Sequence, residues 1–342
     1  MPTLVINGET VSVRLESQHI ELIKRNPEKP DSTVFLRKKV PFFDIDRVFI
    51  VGRPNITIMV LQKFMFLGIP VSFVTSKGRW IGALSSENNM NAERRIRQYK
   101  LSEDKSLSLK ISKSLVYAKI RNSRRVLQRL AANRAQSFED KHVDILKKLR
   151  NYARLAVLSS DLDTLRGYEG ISAMLYFSRL ADFFPENIPF EERSIRPPKN
   201  AANAIMSWTY TVLLGEVEAA VRSRGLDVCI GFLHSVSHGT PSLAVDLMEP
   251  LRGPICDLLV LNMLNHKVLT DEHFEFSADD GGTYLTDSGK KSFFFSYEMA
   301  MNRKFILKSG EPHTDFRKII DDSVLSIIRA IEGKDFKFFL MP

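Results

Sequence analysis

Cysteine is scarce in this chain: two residues of 342, Cys229 and Cys256, both set among apolar neighbours. That excludes a disulfide framework and a cysteine-rich zinc site, and it suits buried free thiols in a reducing compartment. Long apolar runs are also lacking. Nothing approaches the ~20 residues that a membrane-crossing helix needs, and the opening Met1-Pro2-Thr3-Leu4 carries no basic leader. The expectation is a soluble, cytoplasmic protein without a membrane contact. Two nucleotide and acyl-transfer signatures are missing too. Gly289-Lys290-Lys291-Ser292 lacks the glycine that a phosphate loop requires five positions earlier, where Tyr284 stands, and no Gly-x-Ser-x-Gly turn occurs.

What the chain does have is positive charge, unevenly placed. Its net charge of +9 conceals eighteen Lys and Arg against six Asp and Glu within residues 91 to 160, a local surplus of twelve that leaves the remainder slightly acidic. Basic residues from Arg94 and Arg97 through Lys119 and Arg121 to Arg134 recur along helical apolar spacing, as a phosphate-contacting surface would. A solvated helical face is the plainer reading of any single run; the extent of this one favours an anionic partner.

The length predicts two domains, and the patterning an α+β fold with the boundary near residue 85. Up to there, short stretches such as Val11-Ser12-Val13, Thr33-Val34-Phe35-Leu36, Val48-Phe49-Ile50-Val51 and Val71-Ser72-Phe73-Val74 read as strands, with turns at Asn26-Pro27, Pro30-Asp31 and Lys77-Gly78. One helix, from about Asn55 to Leu67, ends at Gly68. Residues 86 to 90 form a polar linker, and 91 to 342 a larger all-helical domain, with helices expected over 91–102, 107–136, 139–157, 161–184, 200–225, 242–266, 290–308 and 313–332.

Three short segments carry the chemistry: Gly167-Tyr168-Glu169-Gly170, Gly231-Phe232-Leu233-His234, and the run from Ser242 to Glu249. Asp246 and Glu249 are three apart, so a helix presents both on one face beside an apolar wall. Carboxylates with an imidazole suit magnesium or manganese better than the thiolate sets of structural zinc. Each residue also has a plainer reading. Glu169 could face solvent, but Gly170 beside it costs a helix about 1 kcal/mol and suggests that a nucleic acid strand or another helix approaches there. His234 and His238 have helical metal-pair spacing, yet Gly231, Gly239 and Pro241 make the segment a loop; His234 is favoured by its apolar lead-in. Asp246 could answer a helix dipole.

Together these segments resemble the CRISPR-associated integrase family, the protein numbered one of the CRISPR adaptation system. Further marks are Gly78-Arg79-Trp80-Ile81-Gly82, Arg97-Gln98-Tyr99, Ala118-Lys119-Ile120-Arg121-Asn122 and Arg196-Pro197-Pro198-Lys199-Asn200, in an order that spans nearly the whole chain. The resemblance implies a β-rich N-terminal domain engaged in dimerisation and partner contacts, then a helical catalytic domain. It implies metal-dependent DNA strand transfer, in which 3′-hydroxyl ends of a captured fragment attack phosphodiesters of a CRISPR repeat. Glu169, His234 and Glu249 would be the metal ligands for Mg2+ or Mn2+, with Asp246 an additional acidic residue nearby. The implied partners are double-stranded and branched DNA, a second copy of the chain, and the protein numbered two of the same system. Arg94, Arg97, Lys119, Arg121, Arg193, Arg196 and Lys199 are the candidate DNA contacts. Arg252-Gly253-Pro254 departs from the family's arginine followed directly by proline, which bears on the local helix path. A stand-alone structure-specific nuclease of DNA repair and a non-catalytic DNA-binding scaffold are the competing readings.

Overall fold

The computed structural model describes residues 3–25, 35–84, 91–132, 140–234, 238–307 and 312–342. The expected linker at 86–90, the turns at Asn26-Pro27 and Pro30-Asp31, and Arg134 lie outside the described residues.

The N-terminal region holds two four-stranded sheets. Its elements are β1 (Thr3–Asn7), β2 (Val11–Glu16), β3 (His19–Arg25), β4 (Phe35–Pro41), β5 (Arg47–Val51), β6 (Asn55–Ile56), α1 (Ile58–Phe66), β7 (Val71–Val74) and β8 (Trp80–Leu84). One sheet runs β1-β5-β7-β8, parallel except for the β7/β8 pair; the other runs β4-β3-β2-β6. The parallel β5/β7 pair needs a crossover, which α1 supplies. Strand alternation makes the sheet amphipathic: Val48 and Ile50 join a local core with Val60 and Phe64 of α1, while Phe49 and Val51 point the other way into the main core. Gly68, at φ +71°, turns the chain out of α1 as its sequence position predicts. Asn55–Ile56 is a two-residue strand beside β2 instead of the start of that helix.

The rest is predominantly helical: α2 (Ala92–Glu103), α3 (Lys105–Ala132), α4 (Asp140–Leu158), α5 (Leu162–Leu180), α6 (Ala201–Ser223), α7 (Ser242–Met248), α8 (Leu258–Asn265), α9 (Asp287–Asn302) and α10 (Phe316–Ile331). Side-chain caps start several of them: Asn91 accepts from the Arg94 amide, Asp161 from Thr164, Asn200 from Asn203 and Asp315 from Lys318. Two features differ from the helical expectation. A hairpin, β9 (Phe274–Ser277) with β10 (Gly282–Leu285), flanks the turn at Asp279-Asp280. The helix expected over 242–266 is broken: a 3-10 turn at Glu249–Leu251 and a π-turn at Arg252–Asp257 separate α7 from α8. Pro250 and Pro254 lack the amide hydrogens that an uninterrupted α-helix would use. Cys256 is buried as expected, but Cys229 is exposed, because its apolar neighbours lie on a loop and do not enclose it.

Sheet and helices meet closely. A Cβ on Gly215 of α6 would lie 2.8 Å from Trp80, and one on Gly78 would lie 2.6 Å from Trp208, so both contacts require glycine. Among the described residues, no helix is long and apolar enough to cross a membrane.

Candidate active site

Glu169 projects from the middle of α5, and Glu249 opens the 3-10 turn after α7. Both carboxylates meet the ammonium of Lys119, from α3: it hydrogen-bonds Glu169 Oε1 and lies 2.5 Å from Glu249 Oε2. Glu249 Oε1 takes Arg252 Nη2 at 2.9 Å. Its Oε2 has no donor aligned for a hydrogen bond, so the contact with Lys119 is chiefly charge on charge. Burial would raise the Glu249 carboxyl; Arg252 and then Lys119 outweigh it and hold the pKa at about 2. Burial likewise opposes the Lys119 charge, and Glu249 and Glu169 more than offset it. Asn122, one turn further along α3, donates to the carbonyls of Pro250 (2.7 Å) and Phe339 (2.9 Å), fixing the Glu249 turn against the helix that carries Lys119.

Asp246 is fully buried and turns away from Glu249. Its Oδ2 accepts the amides of Phe232 (2.6 Å) and Leu233 (2.9 Å), and its Oδ1 the amide of His234 (3.0 Å) and His234 Nδ1 (2.6 Å). The carboxylate is thereby spent on shaping the 232–234 loop and aiming the imidazole. A Cβ on Gly231 would lie 2.7 Å from Asp246 Oδ2, which explains glycine there. Because the carboxylate only accepts, in the neutral ring Nδ1 carries the hydrogen and Nε2 is left with its lone pair. Among the described residues Nε2 has no partner. The Asp246 hydrogen bond raises the His234 pKa above 6.5 against the cost of burial, and Glu249 adds to the rise. Arg166 of α5 donates to the Leu233 carbonyl at 2.7 Å and ties this loop to the helix bearing Glu169. His238, by contrast, is exposed.

Beneath the glutamates lies a cavity of about 30 Å³, room for roughly one water, lined in part by Lys119, Glu169, Glu249, Arg252, Tyr210 and Asp257. Asp257 closes the π-turn and accepts hydroxyls from Tyr210 (2.6 Å) and Tyr176 (2.7 Å). Burial pushes its carboxyl up to about 6, against those two bonds. The Arg252 guanidinium rests 5.1 Å above the Tyr210 ring, and that of Arg193 5.4 Å from it. Arg252 and Asp257 are five apart, which in an α-helix is about 140° around the axis; a turn closed from i to i+5 brings them to one side.

Of the other expected DNA contacts, Arg196 and Lys199 are exposed, beside the cis Arg196–Pro197 bond, and Arg121 is exposed near the Tyr117 hydroxyl at 3.3 Å. Arg94 is committed to the Arg224 carbonyl (2.5 Å), and Arg97 pairs with Glu93 (2.5 Å). Arg193 is held by Ser194, Asn203 and Ser207, so internal polar groups use its donors. Lys119 is enclosed by carboxylates and is not a surface cation. Of the two partners expected at Gly170, another helix is not there: among the described residues nothing outside its own helix comes within 4 Å of a Cβ at Gly170 or Gly167, so that face of α5 is open, with Ile171 and Met174 exposed beside it.

For a divalent cation the donor set fits at two points. Glu169 and Glu249 converge from separate elements on one position, and the ammonium there is itself a cation. Among the described residues, no three His, Cys, Asp or Glu are gathered as a ready metal cluster, so the His234 Nε2 stands as a neighbour of the pair.

A family model described as CRISPR associated protein Cas1 matches residues 4–299. The CRISPR-associated endonuclease Cas1 1 of Thermodesulfovibrio yellowstonii is 31% identical over 324 residues, covering 94% of this chain and 98% of that protein. The CRISPR-associated endonuclease Cas1 3 of Thermus thermophilus is 33% identical over 271 residues, 79% of this chain and 77% of the relative. In three dimensions a CAS1 protein from Thermotoga maritima matches with TM-score 0.81 at 21% identity, over 98% of each chain. A casposase bound to integration product matches with TM-score 0.84 at 22% identity, over 100% of this chain and 94% of that one. These structural likenesses show the fold; the family match and the sequence relatives, which extend over most of the chain, show that it belongs to the Cas1 family of CRISPR-associated endonucleases.

Proposed function

We propose that this chain is a metal-dependent integrase that inserts captured DNA fragments into a CRISPR repeat array. The observation that carries this reading is the convergence of Glu169 and Glu249 on one cation position, beside an imidazole oriented by Asp246. Mg2+ or Mn2+ bound by Glu169 and Glu249, with His234 as a third donor, would polarise the scissile phosphate and stabilise the charge that builds on it. In the transesterification one P–O bond forms to the incoming 3′-oxygen and one breaks to the departing 3′-oxygen. The proton of the attacking hydroxyl ends on the leaving oxygen. With Nε2 of His234 given to the ion, Asp246 on Nδ1 would hold the ring in the tautomer and orientation that present that lone pair. Arg252 adds fixed positive charge beside Glu249.

The surface supports a DNA substrate. Burial lowers the Arg124 pKa, and so do the charges of Arg150, Arg121 and Arg125 around it, a concentration that α3 and α4 build and that phosphates would relieve. Arg196 and Lys199 remain free for backbone contacts. The exposed Phe43, Ile58, Met59 and Phe66 of the β-rich region form apolar surface suited to a second copy of the chain and to the small Cas2 partner. A Cas6-RT-Cas1–Cas2 complex supports that assembly: it matches with TM-score 0.80 at 20% identity, over 98% of this chain and 36% of that one. Branched DNA would be the substrate of the reverse reaction, and the setting would be the cytoplasm.

The test is a supercoiled plasmid carrying a repeat, incubated with purified protein and Mg2+, with and without Cas2. Joined product that requires Glu169, with DNA binding retained in Glu169→Ala, is the expected result. Since the sequence relatives are named endonucleases, cleavage without joining would instead favour a stand-alone nuclease. DNA binding with neither joining nor cleavage would leave only a scaffold, and full strand transfer by Glu169→Ala would remove Glu169 from the chemistry.

A further inference from the structure

We infer that Lys119 is a catalytic residue: its ammonium holds Glu169 and Glu249 together before a divalent cation binds, then transfers to a non-bridging oxygen of the scissile phosphate. This rests on the metal reading of the two glutamates given above. The argument starts from charge. Glu169 and Glu249 carry two negative charges into a largely enclosed site, and Lys119 and Arg252 carry two positive ones. The quartet is neutral, which is why two carboxylates can face one another without a metal. A divalent ion bound to the same oxygens leaves two positive charges in excess. A pentacoordinate phosphorane carries about two negative charges, so the loaded site would match the transition state if both side-chain cations stayed close.

The two cations are not equally free to answer that charge. Arg252 is anchored on Glu249 at 2.9 Å and over the Tyr210 ring, itself pinned by Asp257. Among the described residues the Lys119 ammonium pairs only with the two carboxylate oxygens on which the metal would sit, and ion and ammonium cannot occupy one point. Its backbone is fixed, because Asn122 clamps α3 to the Pro250 and Phe339 carbonyls, so movement is confined to the four-carbon arm. A compact ammonium with rotatable donors suits both positions in a way that a planar guanidinium does not. The Glu169 side chain is a quarter exposed, and among the described residues nothing outside α5 stands near Gly170 beside it, so an entering phosphate has a route to the ammonium.

The experiment combines Mn2+ binding by calorimetry on the full-length protein, without DNA, and single-turnover strand transfer at saturating Mn2+. Lys119→Met removes the competitor, so Mn2+ should bind on the order of tenfold more tightly, while strand transfer slows on the order of a hundredfold with little change in KM for DNA. A purely structural lysine would not move those two quantities in opposite directions. Unchanged or weaker Mn2+ binding, or strand transfer within about twofold of wild type, overturns the proposal. Lys119→Arg, which keeps the carboxylates neutralised, decides the matter if the Met variant does not fold: full activity in it also overturns the proposal, and slow transfer with an intact fold supports it. Equal Mn2+ binding by wild type and Glu169→Gln would sink the metal reading itself, an outcome distinct from the failure of Lys119 alone.

Discussion

Two buried carboxylates in this molecule carry comparable charge and opposite duties. Glu216 of α6 sits between Arg47 of β5 (2.5 Å) and Arg317 of α10 (3.3 Å), and Arg317 also binds Glu298 at 2.7 Å. Glu249 sits between Arg252 and Lys119, with Glu169 on the far side of the lysine. The first cluster joins sheet to helices: both its cations are guanidiniums, and the neighbouring glycine, Gly215, is pressed against Trp80 and Phe49. The second has one exchangeable ammonium and, among the described residues, an imidazole nitrogen without a partner at its edge and two glycines, Gly167 and Gly170, with open space beside them. What separates a strut from a reactive centre here is the kind of cation and the space left beside it, more than the burial of the acid.

The comparison breaks most visibly by neutralising one acid from each cluster. Glu169→Gln should cut strand transfer on the order of a thousandfold and barely alter Tm, since Lys119 keeps Glu249. Glu216→Gln should leave turnover per folded molecule near wild type and cost about 3 kcal/mol of stability, measured by urea unfolding; loss of turnover in a folded Glu216→Gln protein would erase the distinction. A smaller effect concerns Asp257. Its folded pKa of about 6 exceeds the ordinary 3.8, so the stability it contributes is complete below the lower value and is lost as pH rises through the upper. Wild type should therefore fall behind Asp257→Asn in Tm between pH 4 and 7, about 3 kcal/mol at most, and a pH-independent gap would contradict the assignment. The smallest effect is at Gly170. Gly170→Ala should raise stability by up to about 1 kcal/mol, because nothing opposes the methyl, while KM for DNA rises if a strand lies on that face. Unchanged KM would return Gly170 to the solvent.

The sequence segments around Glu169, His234 and Glu249 were legible because glycines and apolar runs frame them, and the helical periods located α2 to α6 within a few residues. Lys119 was legible only as one more basic residue, since its partners lie 50 and 130 positions away and spacing cannot show such pairs. Asp246 and Glu249 share a helical interval yet serve different neighbours, because the helix ends between them at Met248. The break was masked by Leu243, Leu247, Leu251, Ile255 and Leu259, a four-residue rhythm that reads as one helix, even though Pro250 and Pro254 stand inside it. Arg193 looked like a free cation on a loop, and only the fold shows Asn203 and Ser207 waiting for it. Tyr176, Tyr210 and Asp257 carried no local signal at all.

The turn from Arg252 to Asp257 makes chain length stricter than composition in this stretch. Removing one residue there would rotate all that follows by about 100°, swinging Asp257 off its two tyrosines and leaving Arg252 a ring with nothing to hold it. The segment keeps count for the site, and a relative that lacks Gly253 can reach the same arrangement only by winding this helix differently.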